Sequence, residues 1–341
     1  MLDAIRFNGP FPASSTVQVM LPPGLADDAG RALSNASRFP VDVRIDEYPP
    51  LAKFPGTFGI LEAREGGVLP VTLRNLDRPA AGLPAAIPAR KLRIGSDPAA
   101  IAAWLRRVDA AVAERGDWET DPKTGRATWK ERTGSDSVFR ADDGASAFTI
   151  PKPAGERDFE VVGVPLQATG LYVVELESRR LGQSLLGADQ PRYVATAALV
   201  TNLAVHFKWG RESSLVWVTT LDGGKPVPNA AVTVTDACEG KLRWTGTTDR
   251  DGLARIDKSL GDEITSGSCE YAGAQRPLMV MAQSGDDFSF TQSWWTEGIS
   301  PWDFGLPVGS KYDLNLFSTV LDRSLFRPGE TVSMKHFLRR H

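Results

Sequence analysis

The stretch Asn202-Leu-Ala-Val-His-Phe-Lys208 alternates apolar and polar side chains, which is the pattern of a β-strand with one buried face. Leu203, Val205 and Phe207 share the apolar face. Further short strands are predicted after it, and Gly, Pro or Asp residues mark the turns between them. Seven such strands are what an immunoglobulin-like sandwich requires. The later six are predicted at residues 215–221, 231–235, 242–247, 253–257, 277–283 and 288–292.

The same alternation of short apolar runs and turn residues continues towards the N-terminus. The chain is therefore predicted to be all-β, with tandem immunoglobulin-like sandwich domains. Its 32 Gly and 24 Pro residues lie at regular breaks between short apolar runs. A Pro-rich stretch, residues 48–56, is predicted to be a linker or domain edge. The upstream strands are predicted at residues 16–20, 41–45, 57–63, 68–74, 147–150, 159–164, 171–177 and 193–200.

One helix, at residues 98–115, interrupts the strand pattern. Asp97 is a suitable N-cap, Pro98 suits the first helical position, and Gly116 suits a left-handed residue after the last turn. The apolar stripe of this helix either covers the sheet of its own domain or binds a partner. Residues 118–144, which are charged and Gly-rich, are predicted to form a long exposed hairpin or loop insertion. The stripe consists of Ile101, Trp104, Leu105, Val108 and Val112.

Composition and charge exclude several classes of protein. The 341 residues are 42% hydrophobic and 24% charged, which is typical of a folded globular chain. Lys and Arg total 39 against 42 Asp and Glu, a net charge of −3, so nucleic acid is not an expected partner. The longest apolar run, residues 194–200, is far shorter than the ~18 residues that span a bilayer. The start Met1-Leu-Asp3 is interpreted as lying inside a longer protein.

The chain has two cysteines, Cys238 and Cys269, and each is followed by a glutamate. A neighbouring negative charge raises the pKa of a thiol and makes it a poorer nucleophile. The residues favour a disulfide over two buried free thiols, and both over a reactive cysteine. A disulfide would place the chain in an oxidising compartment.

No catalytic or metal-binding pattern stands out. The three histidines do not have the spacing of metal ligands, and nucleotide-binding glycine motifs are lacking, so no metal or cofactor is expected. Gly182-Gln-Ser-Leu-Leu-Gly187 is one residue too long for a nucleophile elbow and is predicted to be a loop. Lys123-Thr-Gly125 resembles one motif of penicillin-recognising enzymes, but the chain has no Ser-x-x-Lys to supply the nucleophile. Asp249-Arg-Asp-Gly252 resembles the start of a calcium loop but is better explained as a hairpin turn at Asp251-Gly252.

An aromatic cluster near residue 295 has two interpretations. Exposed indoles could stack on sugar rings, or the same side chains could pack at a junction between two sandwiches. The cluster consists of Phe288, Phe290, Trp294, Trp295, Trp302 and Phe304.

The end of the chain reads Asp322-Arg-Ser-Leu-Phe-Arg-Pro-Gly-Glu-Thr-Val332, in which Pro-Gly predicts a type II turn. A strand is predicted from residue 331, with Val332, Met334 and His336 on one face. This stretch resembles the signature that opens a macroglobulin domain in the alpha-2-macroglobulin superfamily, and residues 334–339 resemble its bacterial branch. The family-signature turn consists of Phe326, Arg327, Pro328, Gly329 and Glu330.

Four ordered segments before that signature are similar to the preceding bacterial macroglobulin domain. They are residues 201–208, 215–219, 224–230 and 248–254. Residues 170–174 are similar to the last strands of the domain before it. The predicted domains are therefore 1–46, a partial or small macroglobulin-like domain; 47–199, a sandwich with the helical insertion; 200–310, a second sandwich; and 311–341, the first strands of a further, truncated domain.

The resemblance implies a periplasmic protein that traps endopeptidases in a cage of macroglobulin domains. In many members a Cys-x-Glu-Gln thioester acylates the protease, but Glu239-Gly240 and Glu270-Tyr271 follow the cysteines here, so neither is the thioester cysteine. The chain would be non-catalytic scaffold, without a cofactor and monomeric as a fragment. Through the full-length protein its partners would be target proteases and, by association, cell-wall synthesis enzymes, and a lipoprotein N-terminus could anchor that protein to the inner membrane. The alternatives are a carbohydrate-binding or adhesin array and a hydrolase using Ser184.

Overall fold

The structure is a computed structural model, and it describes residues 6–76, 86–151, 160–187, 189–261, 269, 277–295, 315–321, 329 and 331–340. The first described unit pairs β1 (Ser15–Val19) with β2 (Val41–Ile45) as an antiparallel ribbon, with a 3₁₀ turn at Ala36–Arg38 between them. Val17 and Val19 lie opposite Val43 and Val41, so the ribbon has one apolar face. None of the residues in 6–46 is buried.

The second unit is a sandwich of two sheets. One sheet has the strand order β10-β5-β3, and the other has β4-β12-β11-β6-β9, in which β4 and β12 are parallel. Its strands are β3 (Leu51–Lys53), β4 (Phe58–Glu62), β5 (Val68–Arg74), β6 (Ala86–Ile94), β7 (Gly116–Thr120), β8 (Ala127–Glu131), β9 (Ser146–Pro151), β10 (Glu160–Pro165), β11 (Gly170–Ser178) and β12 (Arg192–Thr201).

Side chains between these two sheets form the core of the second unit, and Tyr172 closes one corner. Its hydroxyl donates a 3.0 Å hydrogen bond to the carbonyl of Ala168, four residues upstream, as in the tyrosine corner of immunoglobulin-like sandwiches. Strands β11 and β12 are buried on both faces, because the second face is covered as well. The core includes Val71, Leu73, Ile87, Val174, Leu176, Ala198 and Val200.

The helix α1 spans Pro98–Val112, and the carboxylate of Asp97 accepts hydrogen bonds from the amides of Ala99 and Ala100. The predicted start is thus confirmed, whereas the predicted end at residue 115, with Gly116 as the left-handed residue after it, is wrong. Ala113 already leaves the helix with ψ 137°, and Gly116 begins β7. A side chain at Gly116 would collide with the ring of Trp129, so its glycine serves the hairpin rather than a helix cap.

The exposed insertion predicted at residues 118–144 is confirmed for the hairpin β7–β8, which ends at Glu131, but it is wrong for the segment that follows, where Val138 and Phe139 are buried. Its two tryptophans, Trp118 and Trp129, are cross-strand partners, and their rings meet edge to face at 5.6 Å. Of residues 182–187, predicted as a loop, all but Gly187 are helical instead: α2 (Arg179–Leu181) continues into a π-helical turn at Gly182–Leu186. A second 3₁₀ turn, Ala63–Glu65, follows β4, and the predicted linker 48–56 contains β3.

The third unit has the seven predicted strands in two sheets, β13-β14-β17 and β16-β15-β18-β19. Valines from both sheets, among them Val216, Val218, Val232 and Val234, fill the space between them. The all-β, sandwich-type fold is therefore confirmed. The strands are β13 (Leu203–Lys208), β14 (Ser214–Thr220), β15 (Ala231–Asp236), β16 (Leu242–Thr247), β17 (Leu253–Ile256), β18 (Leu278–Ser284) and β19 (Asp287–Gln292).

The turn at Asp251-Gly252 is not a hairpin turn. It joins β16 to β17, which belong to different sheets, so it forms an arch between them. The Oδ1 atom of Asp249 accepts hydrogen bonds from the amides of Asp251 and Leu253, both at 2.9 Å, and these bonds shape the arch.

A last antiparallel ribbon pairs β20 (Asn315–Leu321) with β21 (Met334–Arg340). The predicted strand start at residue 331 is wrong by three residues, because pairing with β20 begins only at Met334. Of the signature turn, Phe326, Arg327, Pro328 and Glu330 lie outside the described residues, whereas Gly329 has φ +87°. Among the helices described, none is long and apolar enough to cross a membrane.

Candidate functional site: the junction between two sandwich units

Helix α1 lies over the outer face of the large sheet of the second unit. Ile101, Leu105 and Val108 are buried against side chains of β11 and β12, including Leu171 and Leu199. The same buried cluster continues into the third unit through Met279, Met281, Phe288 and Phe290. One apolar core therefore spans both units, and the helix covers its own sheet and contacts the neighbouring sandwich at the same time.

Two contacts join α1 to the turn after β15. The Nη1 atom of Arg106 donates a 2.8 Å hydrogen bond to the carbonyl of Ala237. Gly240, with φ +71°, passes so close to the helix that a Cβ atom on it would lie 2.6 Å from the Cβ of Ala99. Both contacts need the turn at 236–240 to keep its shape, because a shift of about 1 Å would break them.

Two features inside this turn fix its shape. The buried carboxylate of Asp236 accepts hydrogen bonds from the amides of Cys238 at 2.8 Å and Glu239 at 3.0 Å. Cys238 is disulfide-bonded to Cys269, with a Cα–Cα distance of 5.6 Å. Two hydrogen bonds from backbone amides to a carboxylate hold the turn that contacts the helix, and a covalent bridge holds it as well.

The aromatic cluster forms a second part of the junction. Phe58 of the second unit lies with its ring centroid 5.6 Å from that of Phe290 and 4.9 Å from that of Trp295. Phe288 and Phe290 are buried, Trp294 is partly buried, and Trp295 is 38% exposed. These four side chains pack at a junction rather than forming an open sugar-binding face. Trp302 and Phe304 lie outside the described residues.

Polar contacts close the linker between the units, which is a single residue, Asn202, between β12 and β13. Asp287, the first residue of β19, accepts a 2.7 Å bond from the hydroxyl of Thr201 and a 2.9 Å bond from the amide of Asn202. The linker is thus bonded to the far sheet of the third unit. Buried hydrogen bonds to a charged group are among the stronger ones in proteins.

An ion pair between Arg64 and Asp222 bridges the units on the surface near this linker. The pKa of Asp222 lies below its usual value, chiefly because the hydroxyl of Thr220 bonds to it; Asn202, Arg64 and Lys225 act in the same direction. Since Asp222 is exposed, this ion pair orients the units more than it stabilises them.

Helix α1 is also tied to the segment that follows the β7–β8 hairpin. The Nη2 atom of Arg107 lies 2.6 Å from Oδ2 of Asp143, and the amide of Arg140 donates to the same oxygen. The hydrogen bond from Arg107 is the largest cause that holds the pKa of Asp143 below its usual value. The helix is therefore fixed from both sides, by this pair and by the third unit.

Comparison with known proteins gives a match whose residues coincide with the third unit. Residues 200–311 match the family model described as the bacterial alpha-2-macroglobulin MG3 domain. The resemblance to the bacterial alpha-2-macroglobulins is confirmed. The match begins at the penultimate residue of β12, so it covers the linker, the disulfide and the aromatic cluster.

A curated relative, an alpha-2-macroglobulin homolog of Nostoc sp., is 28% identical over 206 residues, which are 53% of this chain and 11% of that protein. The chain thus spans about a tenth of the length of this relative. Among solved structures, native Escherichia coli alpha-2-macroglobulin spanning domains MG0-NIE-MG1 is similar at 13% identity and a TM-score of 0.43, over 74% of this chain and 66% of that one. Salmonella alpha-2-macroglobulin reacted with methylamine is similar at 12% identity and a TM-score of 0.42, over 88% of this chain and 15% of that one.

The residues considered for chemistry lie apart from the junction. Ser184 is an exposed residue of the π-helical turn, and Lys123-Thr-Gly125 forms the end of the β7–β8 hairpin. Within the described ranges, no group of three or more His, Cys, Asp or Glu side chains is placed to hold a metal ion.

The sequence indicated Cys238, Cys269 and the aromatic cluster, but it did not indicate Phe58, Arg106, Gly240 or Asp287. Their roles depend on contacts between positions about 80 to 230 residues apart, which no local pattern reveals. A short linker between two strands was the one available signal that the units would be in close contact.

Proposed function

We propose that this chain is non-catalytic scaffold of a bacterial alpha-2-macroglobulin whose full-length form traps and inhibits endopeptidases. The observation that carries the proposal is the MG3 match at residues 200–311, which falls on a two-sheet sandwich joined to the preceding unit by a continuous core. A scaffold role fits such a junction because a cage must keep its domains in fixed relative positions. The role of the chain would be to hold that geometry rather than to react.

The proposal divides the chain into domains at 1–46, 47–199, 200–310 and 311–341. Both terminal ribbons support it, because each carries apolar side chains that a complete sandwich would bury. In the β20–β21 ribbon, Phe317 and its cross-strand partner Leu338 are 61% and 69% exposed. We infer that residues 311–341 contribute the first strands of a further macroglobulin domain, and that residues 1–46 belong to a small or partial one.

The proposed compartment is the periplasm, where a lipoprotein N-terminus would anchor the full-length protein to the inner membrane. The disulfide between Cys238 and Cys269 supports an oxidising location, since such bonds persist there and are rare in the cytosol. Target proteases would be the partners of the full-length protein, and cell-wall synthesis enzymes could be further ones. The fragment itself would be monomeric and would bind no protease.

The proposal is tested with the full-length protein and an endopeptidase. Entrapment predicts cleavage of the full-length protein, loss of protease activity on a large protein substrate, and retained activity on a small chromogenic peptide. The 341-residue chain alone is the control, and it should leave both activities unchanged. If the full-length protein is not cleaved and the protease keeps its activity on the large substrate, the proposed function is wrong.

A further inference from the structure

We propose that the Cys238–Cys269 disulfide is a redox-sensitive lock on the junction between the second and third units. Its position supports this role: it lies in the turn that contacts α1, rather than in the centre of the third unit's own core. Reduction would then loosen the two contacts between the turn and α1, Arg106 with Ala237 and Ala99 with Gly240, while both sandwiches stay folded. This inference goes beyond the proposed function and does not depend on it.

The disulfide lies between the two contacts that the turn makes with the helix. Ala237, immediately before Cys238, accepts the hydrogen bond from Arg106. Gly240, two residues after Cys238, packs against Ala99. Any displacement of Cys238 therefore moves both contacts together.

Other bonds hold the strands on either side of the turn without the disulfide. Strand β15, which leads into the turn, pairs with β16 and with β18 along its length. The buried core between the two sheets of the third unit consists of valine, alanine, isoleucine and leucine side chains, and neither cysteine is a member of it. Loss of the bridge should thus loosen the turn and leave the sandwich folded.

The bridge is within reach of a reductant, because both cysteines are only partly buried. A dithiol would reduce it by thiol–disulfide exchange. One thiolate attacks a sulfur of the bridge to form a mixed disulfide and releases the other cysteine as a thiolate. The second thiol of the reductant then displaces the protein sulfur, so the chain gains two electrons and two protons and the reductant becomes a disulfide.

Hydrogen exchange measured by mass spectrometry on the 341-residue chain tests the lock, before and after treatment with dithiothreitol. After reduction, with two thiols titrated per chain, we expect amide exchange in residues 98–112 and 236–241 to rise about tenfold or more. Exchange in β11 and β18 should stay unchanged. The Cys238→Ser/Cys269→Ser double variant should show the faster exchange at the outset and no response to dithiothreitol.

Arg106→Ala with the bridge intact is the matched variant for the helix contact, and it should raise exchange in α1 without changing the thiol count. Two results would overturn the proposal. One is unchanged exchange in α1 after complete reduction. The other is an equal rise throughout the third unit, which would show that the bridge holds the sandwich and not the junction.

Discussion

Substitution of Gly240 by alanine should separate the contact across the junction from simple backbone strain. Gly240 has φ +71°, a conformation that costs an L-residue about 1–2 kcal/mol. The new Cβ would also lie 2.6 Å from the Cβ of Ala99, whereas carbon atoms pack best at about 3.5–4.0 Å. Helix and turn must therefore move apart by about 1 Å, and overpacking of this kind costs about 1–3 kcal/mol.

Gly224 offers a matched control, because it has a similar φ of +61° and a Cβ placed there would meet nothing within 4 Å. We expect Gly224→Ala to lower the free energy of unfolding by about 1–2 kcal/mol and Gly240→Ala by about 2–5 kcal/mol. The measurement is urea denaturation of the 341-residue chain followed by tryptophan fluorescence. The difference between the two variants is the part that belongs to the junction.

Ala99→Gly provides a rescue. This change removes the opposing Cβ and by itself costs about 0.5–1 kcal/mol in the helix. Combined with Gly240→Ala, it should restore part of the overpacking cost of about 1–3 kcal/mol, because the Cα of residue 99 would still lie 3.0 Å from the new Cβ. If the two glycine variants lose the same free energy, or if the double variant shows no coupling, α1 does not contact the turn in the way described.

Three further results are expected. Asp287→Ala should leave the hydroxyl of Thr201 and the amide of Asn202 without this acceptor, at a cost of about 1–3 kcal/mol. Limited proteolysis should then cut faster between the two units, whereas substitution of the exposed Asp286 should not have this effect. Because the pKa of Asp143 is depressed below 3.8 in the folded state, its pairing with Arg107 stabilises the fold above that pH and is lost as the pH falls below it. Asp143→Asn should flatten this part of a curve of unfolding free energy against pH. An unchanged curve would contradict the ion pair. Trp129→Ala should abolish the exciton band of the indole pair in circular dichroism. Because the hairpin is exposed, the melting temperature should shift by less than about 4 °C. Loss of the whole fold would show that the hairpin is part of the stabilising core.

Sequence patterns located most strands, because each had one apolar face and a turn residue at each end. They missed β6, where Pro88 and three cations interrupt the alternation. The structure shows why these residues are tolerated. Pro88 lies one position beyond the stretch that pairs with β11, and the cations reach acceptors on neighbouring strands and loops: Arg90 donates to the buried Glu175, and Arg93 donates to the carbonyl of Thr169.

The disulfide could be inferred from the sequence, because two cysteines in one stretch leave a single possible pairing. The partners of the junction could not. Gly240 reads as an ordinary turn glycine, and only the position of Ala99, about 140 residues earlier, shows why a side chain is excluded there. The stripe of α1 had two open interpretations because its amphipathicity reports that a face is buried and does not report which element buries it.

The shared core of the junction also has a consequence for the order of events during synthesis. Ribosomes deliver the N-terminal part first, so β12 is complete while Phe288 and Phe290 are still about 90 residues away. At about 5–20 residues per second, the apolar surface around Phe58 and α1 stays uncovered for roughly 4–18 s. A nascent chain with such a surface is a substrate for holding chaperones, and a recombinant fragment that stops before residue 290 would keep that surface permanently and tend to aggregate.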